Sequence, residues 1–133
     1  MKLQKNLLWI PVVFTMVWGL FGLFAPEKLL RFLNTPSENI NSALISTQML
    51  LGVSLISLGI ITLWMRSLKD KNAMSGAMTV VAVLFLLFGL EAVLVDFLVE
   101  GLARNMILFI EGIVFIILAV LFFLNRKPKI DIG

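Results

Sequence analysis

NINSALISTQMLLGVSLISLGIITLWM, residues 39–65, runs from Glu38 to Arg66 without a charged side chain. About 20 residues of helix, rising 1.5 Å each, cross the hydrocarbon core of a bilayer, so this run is long enough to span one. Lipid offers no partner to a backbone amide, and a helix satisfies those groups within the segment. Three further runs share the pattern. NLLWIPVVFTMVWGLFGLFAP, residues 6–26, lies before it; residues 72–98 follow, broken only by Glu91 and Asp96; residues 105–125 are broken only by Glu111. The expected fold class is all-α, a four-transmembrane-helix bundle in one membrane domain, 1–133, with spans near 6–26, 40–65, 73–98 and 105–125.

Composition points the same way. Of 133 residues, 60% are hydrophobic and 14% charged, against roughly 25% charged in a typical soluble domain. A soluble fold of this size leaves too much area exposed to hide so much apolar surface. Lys2 and Lys5 before the first run resemble a signal peptide, but the apolar part is too long and no A-x-A-like site follows, so it reads as a retained helix. Pro11 lies near the start of that helix, where a missing N–H does least harm. The chain has neither Cys nor His, which excludes disulfides, thiolate nucleophiles and the commonest zinc and haem ligands. No metal or cofactor is expected. The net charge of +3 forms no stripe that would suit nucleic acid.

The basic residues instead sort by side. With four spans, the N-terminus, the 66–74 loop and the C-terminus share one face, carrying Lys2, Lys5, Arg66, Lys69, Lys71, Arg126, Lys127 and Lys129. Lys28, Arg31 and Arg104 fall on the other. The positive-inside rule then places both termini in the cytoplasm, in a plasma or inner membrane, with Trp9 and Trp64 near the cytoplasmic boundary.

The one long connection is PEKLLRFLNTPSEN, residues 26–39. Pro26 suits a first helical turn, with Glu27 at the positive end of the helix dipole. Leu29, Leu30, Phe32 and Leu33 against Lys28 and Arg31 predict a short amphipathic helix on the outer surface. Thr35-Pro36-Ser37 is expected to end it and Ser42 to cap the second span. Gly52 and Gly59 with Ser54 and Ser57, then Gly19 with Gly22, and Gly89 with Gly112, are expected to allow close helix approach. FGL recurs at 21–23 and 88–90, a hint of two related hairpins.

FGLEAVLVDFLVEGLARNMILFIEG, residues 88–112, holds the unusual residues. With a turn near Gly101 and Leu102, Glu91 and Glu111 are each about ten residues from it and so stand at one depth, in the outer half of the bilayer. The same count brings Trp18 and Gln48 into the layer, and Arg104, seven residues before Glu111, lies on its face as a counter-charge. An ionised residue at a helix centre costs roughly 2.5–3.5 kcal/mol, and two close carboxyls tend to share a proton. Glu91, Glu111, Gln48, Trp18 and Arg104 are therefore the candidate ligand or proton site; a hydrogen-bonded clasp holding the bundle is the structural alternative. Asp96 and Glu100 lie nearer the surface. Two Glu without His do not match di-iron bundles, and no phosphate loop or nucleophile elbow occurs, so no catalytic residue is assigned and the sequence leans away from an enzyme.

LFAPEKLLRFLN, 23–34, followed by the Gly-rich QMLLGVSLISLG, 48–59, resembles the small DoxX-like four-helix membrane proteins over about half the chain. That resemblance implies a compact four-helix bundle that partners other membrane or redox proteins. Gln48 stands where such proteins are expected to carry a basic residue. Small multidrug exporters also use a membrane-embedded Glu, but in the first span, where this chain has none. The expected function is a binding or accessory subunit; the alternative is a proton-coupled transporter of lipophilic cations. Expected partners are membrane lipid and a membrane-protein partner or a second copy of the chain.

Overall fold

The computed structural model describes residues 1–98 and 106–127, apart from the side chains of 95–98 and 108. Six α-helices follow in chain order: α1 (Lys2–Leu7), α2 (Trp9–Phe24), α3 (Pro26–Phe32), α4 (Ser42–Met65), α5 (Lys71–Leu98) and α6 (Met106–Leu124). A 3₁₀ turn, Ser37–Asn39, precedes α4. No strand occurs among the described residues. Three helical stretches, Lys2–Phe24, Ser42–Met65 and Lys71–Leu94, are long and apolar enough to cross a membrane, and Phe109–Leu124 is a shorter apolar helix. Among the described residues the expected fourth run is the shortest: at 1.5 Å per residue the 19 residues of α6 reach about 28 Å.

Each end of these helices has a local cause. The first run starts earlier than expected, at Lys2, and is interrupted at Leu8. Pro11 removes the amide that would bond the carbonyl of Leu7, and its ring crowds that carbonyl, so the break falls one turn before the proline. Asn41, rather than Ser42, caps α4: its Oδ1 accepts from the Leu44 N–H at 2.9 Å. Ser42 is already the first helical residue. Asp70 does the same for α5, accepting from the Ala73 N–H at 2.6 Å, which starts that helix at Lys71 rather than 73. Asn34, not Thr35-Pro36-Ser37, ends α3. It takes φ 60°, and the bonds Asn34 N–H to Arg31 O and Thr35 N–H to Leu30 O make a Schellman motif with Asn in the left-handed position.

The chain divides into two compact units, Leu8–Arg66 and Met1–Leu7 with Ser67–Gly133. In the first, α2 and α4 form a hairpin with α3 beside it. A Cβ on Gly19 would lie 2.8 Å from Ile56 Cγ1 and 2.9 Å from the carbonyl of Gly52; one on Gly52 would lie 2.7 Å from the amide of Leu23 and 2.8 Å from the carbonyl of Gly19. The two backbones touch, which only glycine permits. Gly59 repeats the approach against Thr15 and Met16. In the second unit α5 and α6 cross in the same manner, with Gly89 against Gly112 and Ile116. The close approaches expected of Gly19, Gly22, Gly52, Gly59, Gly89 and Gly112 are all present. Ser54 and Ser57 take no part. They are exposed, and each hydroxyl donates to the carbonyl four residues back, as Thr15, Thr47, Thr62 and Thr79 also do. Such bonds keep hydroxyls satisfied where water is absent.

The second unit also holds α1. Gln4 is 2% exposed, and its Nε2 donates to the carbonyls of Asn125 at 3.2 Å and Arg126 at 2.9 Å. It serves the end of α6, where carbonyls lack helical partners. Phe85, Phe115 and Phe122 form the aromatic core of this unit, with ring centres 5.5–5.6 Å apart. Outside such cores the helices present apolar side chains: Val13, Val17, Leu50, Ile60, Trp64, Leu87 and Ile117 are among those largely exposed.

Candidate functional site

The Gly89–Gly112 crossing fixes where the acids stand. Glu91 lies two residues beyond Gly89 toward the end of α5. Glu111 lies one residue before Gly112, toward the start of the antiparallel α6. Rises of about 3 Å and about 1.5 Å above one contact put both positions at nearly one level. Ala92 and Val93 face Gly112 directly, so Glu91 and Glu111 flank the seam instead of filling it. Glu91 is exposed and Glu111 half-buried, and the two lie within electrostatic reach of each other. Among the described residues no basic side chain pairs with either; the ion pair present is Arg31 with Glu27, at 2.9 Å and exposed. Arg104, the expected counter-charge, lies outside the described residues, as do Glu100 and the expected turn at Gly101 and Leu102.

Trp18 and Gln48 belong to the other unit, and within it they do not share a level. Gln48 stands beside Gly22, whose Cβ would meet its Nε2 at 3.2 Å and its carbonyl at 3.3 Å. Gly22 is four residues, or about 6 Å, further along α2 than Trp18. Counting residues from the helix ends misplaced them because α3 lies between those ends, Phe24 and Ser42, and they do not stand at one level. Trp18 instead packs in an aromatic group, its ring 6.1 Å from Phe14, 6.4 Å from Phe21 and 6.2 Å from Phe32 of α3. Phe32 was expected on the apolar side of α3. That side is Leu29 and Leu30, both buried, while Phe32 is half-exposed beside the Trp18 ring.

Two features were missed in the sequence. Gln4 reads as a surface residue between Lys2 and Lys5; only the docking of α1 on the end of α6 buries it, and its Oε1 is buried without a partner. Arg66 reads as a topology charge, yet its guanidinium lies 3.8 Å from the centre of the Trp9 ring. The pairing of a boundary Trp with a boundary Arg was the available signal for the second.

Comparison with family models, curated proteins and solved structures finds no match to this chain.

Proposed function

We propose that this chain is an integral membrane protein, a four-helix bundle of a plasma or inner membrane with both termini cytoplasmic and α3 lying on the outer surface. Its role is that of a binding or accessory subunit, and Glu91 with Glu111 is its polar site in the outer half of the bilayer. Long apolar helices with apolar exposed faces support the setting, and the one-sided basic residues support the orientation. The partial likeness to DoxX-like proteins over 23–34 and 48–59 agrees with an accessory role.

The observation that carries the site is the pairing of two acids at one level beside a glycine crossing. A fastener between helices joins unlike charges or amides. Two carboxyls side by side repel unless a proton or a cation sits between them, so their cohesion depends on what occupies that space. Ionisable groups inside a membrane are functional by default, so this pair is built for a cation or a cation-headed amphiphile.

Tetraphenylphosphonium is a suitable probe. It should raise the unfolding midpoint of the detergent-purified protein, by about 2.7 kcal/mol of stabilisation at one hundred times its Kd. Glu91→Gln and Glu111→Gln should each remove that shift with helical content intact. A shift that survives both variants, or no shift in the wild type, overturns the site. Coupled proton transport is the second reading, favoured by the exposed Glu91 next to the half-buried Glu111. Uptake of a cationic dye by proteoliposomes that rises with an imposed pH gradient and vanishes in Glu111→Gln would replace binding with transport.

A further inference from the structure

Gln4 fastens α1 to the end of α6, and in doing so it gathers charge. Lys2 stands two residues before Gln4 on α1, Lys69 and Lys71 stand at the start of α5, and Lys127 follows the end of α6 beside Arg126. Because α5 and α6 run antiparallel across the Gly89–Gly112 contact, the start of one and the end of the other share one end of this unit. All four lysines are exposed. Among the described residues of that end Asp70 is the one acid, and its carboxylate already accepts from the Ala73 N–H at 2.6 Å. The hold on α1 is also slight. Its 6 residues are too few for a helix to persist unaided, and Leu8 interrupts its continuation into α2. Docking brings the two Gln4 hydrogen bonds but leaves Oε1 buried without a partner. It also brings Lys2 toward Arg126 and Lys127, like charges that repel.

We propose that α1 is a strap whose docking is coupled to acidic phospholipid. Docked, it completes a basic rim that acidic headgroups fill, and those headgroups in turn hold it down, since such coupling is reciprocal. Two observations select lipid over an acidic protein or a nucleic acid. The charge lies on the side where acidic lipids concentrate in the proposed orientation. The same rim carries exposed apolar side chains, Leu3 beside Lys2, and Phe123 and Leu124 shortly before Arg126. A phospholipid covers both kinds of surface, because lysine stems lie along apolar neighbours with the ammonium in the polar layer. A polyanion in water covers only the charge. The inference rests on the proposed membrane setting.

Hydrogen exchange of the full chain in lipid nanodiscs tests it. One set of discs holds phosphatidylcholine alone, the other phosphatidylcholine mixed with phosphatidylglycerol. The amides of residues 5–8 should exchange about five-fold more slowly in the mixed discs, since one lysine near an acidic surface contributes about 1 kcal/mol. Salt at about 1 M, where the screening length falls to about 3 Å, should erase that factor. Lys2→Gln should remove most of it. Lys28→Gln makes the same change of charge on α3, in the other unit, and should leave the factor intact. Equal exchange in the two discs, or an equal loss in Lys28→Gln and Lys2→Gln, overturns the inference and leaves the membrane setting standing. So does faster exchange in the mixed discs, in which case headgroups draw α1 off α6. A chain that enters neither disc overturns both.

Discussion

The two hairpins are the same crossing built twice with different contents. Gly19 and Gly89 each face a glycine and, one turn on, an isoleucine: Gly52 and Ile56 in the first, Gly112 and Ile116 in the second. Carried along the helices, this register pairs Leu8 with Met78, Val12 with Ala82 and Thr15 with Phe85, all of them buried. It pairs Gly59 with Ala119 and Arg66 with Arg126, each of these arginines stacked on an aromatic ring. The FGL repeat suggested the relation but not its register, since it would pair Gly22 with Gly89. A slip of three residues stays near one face of a helix, so a three-letter likeness cannot set it. The contrast lies in what surrounds the seam. In the first hairpin, Phe21 and Leu51 occupy the places that Glu91 and Glu111 occupy in the second. One scaffold thus serves an apolar seam in one half and an acidic pair in the other.

The seams also differ in tolerance, and that gives the largest expected effect. An added methyl on Gly52 meets only backbone, at 2.7–2.9 Å, whereas on Gly112 its nearest neighbours include the Val93 and Ala92 side chains. Side chains yield and backbone does not. Gly52→Ala should cost about 3 kcal/mol and Gly112→Ala about 1 kcal/mol, the two ends of the usual overpacking range, read from unfolding in detergent. Equal costs would break the comparison. Next comes the tie of α1 to the second hairpin. Gln4→Ala removes two hydrogen bonds to the end of α6 and also an unpartnered buried oxygen, for a net loss of about 1 kcal/mol. Hydrogen exchange should quicken at residues 121–126 and stay unchanged in α4. Smallest is the ion pair on α3. Glu27→Ala deletes an exposed i,i+4 contact and should cost under about 0.5 kcal/mol, with fraying confined to α3.

How much of this was readable in the linear chain depends on range. Helix existence followed from uninterrupted apolar runs, and the glycines that let helices touch were visible because glycine in such a run has few other uses. Helix ends were harder. Asn41, Ser42, Thr35 and Pro36 are all plausible boundary residues, and only backbone geometry shows that Asn41 and Asn34 take the roles. The equal level expected of Glu91 and Glu111 came from counting about ten residues outward from 101 and 102 on each side. The level of Gln48 was not legible, because the longer path through α3 decouples its position from Trp18.

An all-helical, lipid-compatible chain, its sites of close approach and two acids in apolar surroundings follow from the linear order of residues. These depend on composition and on spacing within single helices, where rise and periodicity are fixed by the backbone. Which glycine meets which, and the register the two hairpins share, emerge once the helices pack. Packing also buried Gln4 at the end of α6 and set Arg66 on the Trp9 ring. Those are contacts between segments far apart in the chain, chosen by the fit of side chains that no local pattern encodes.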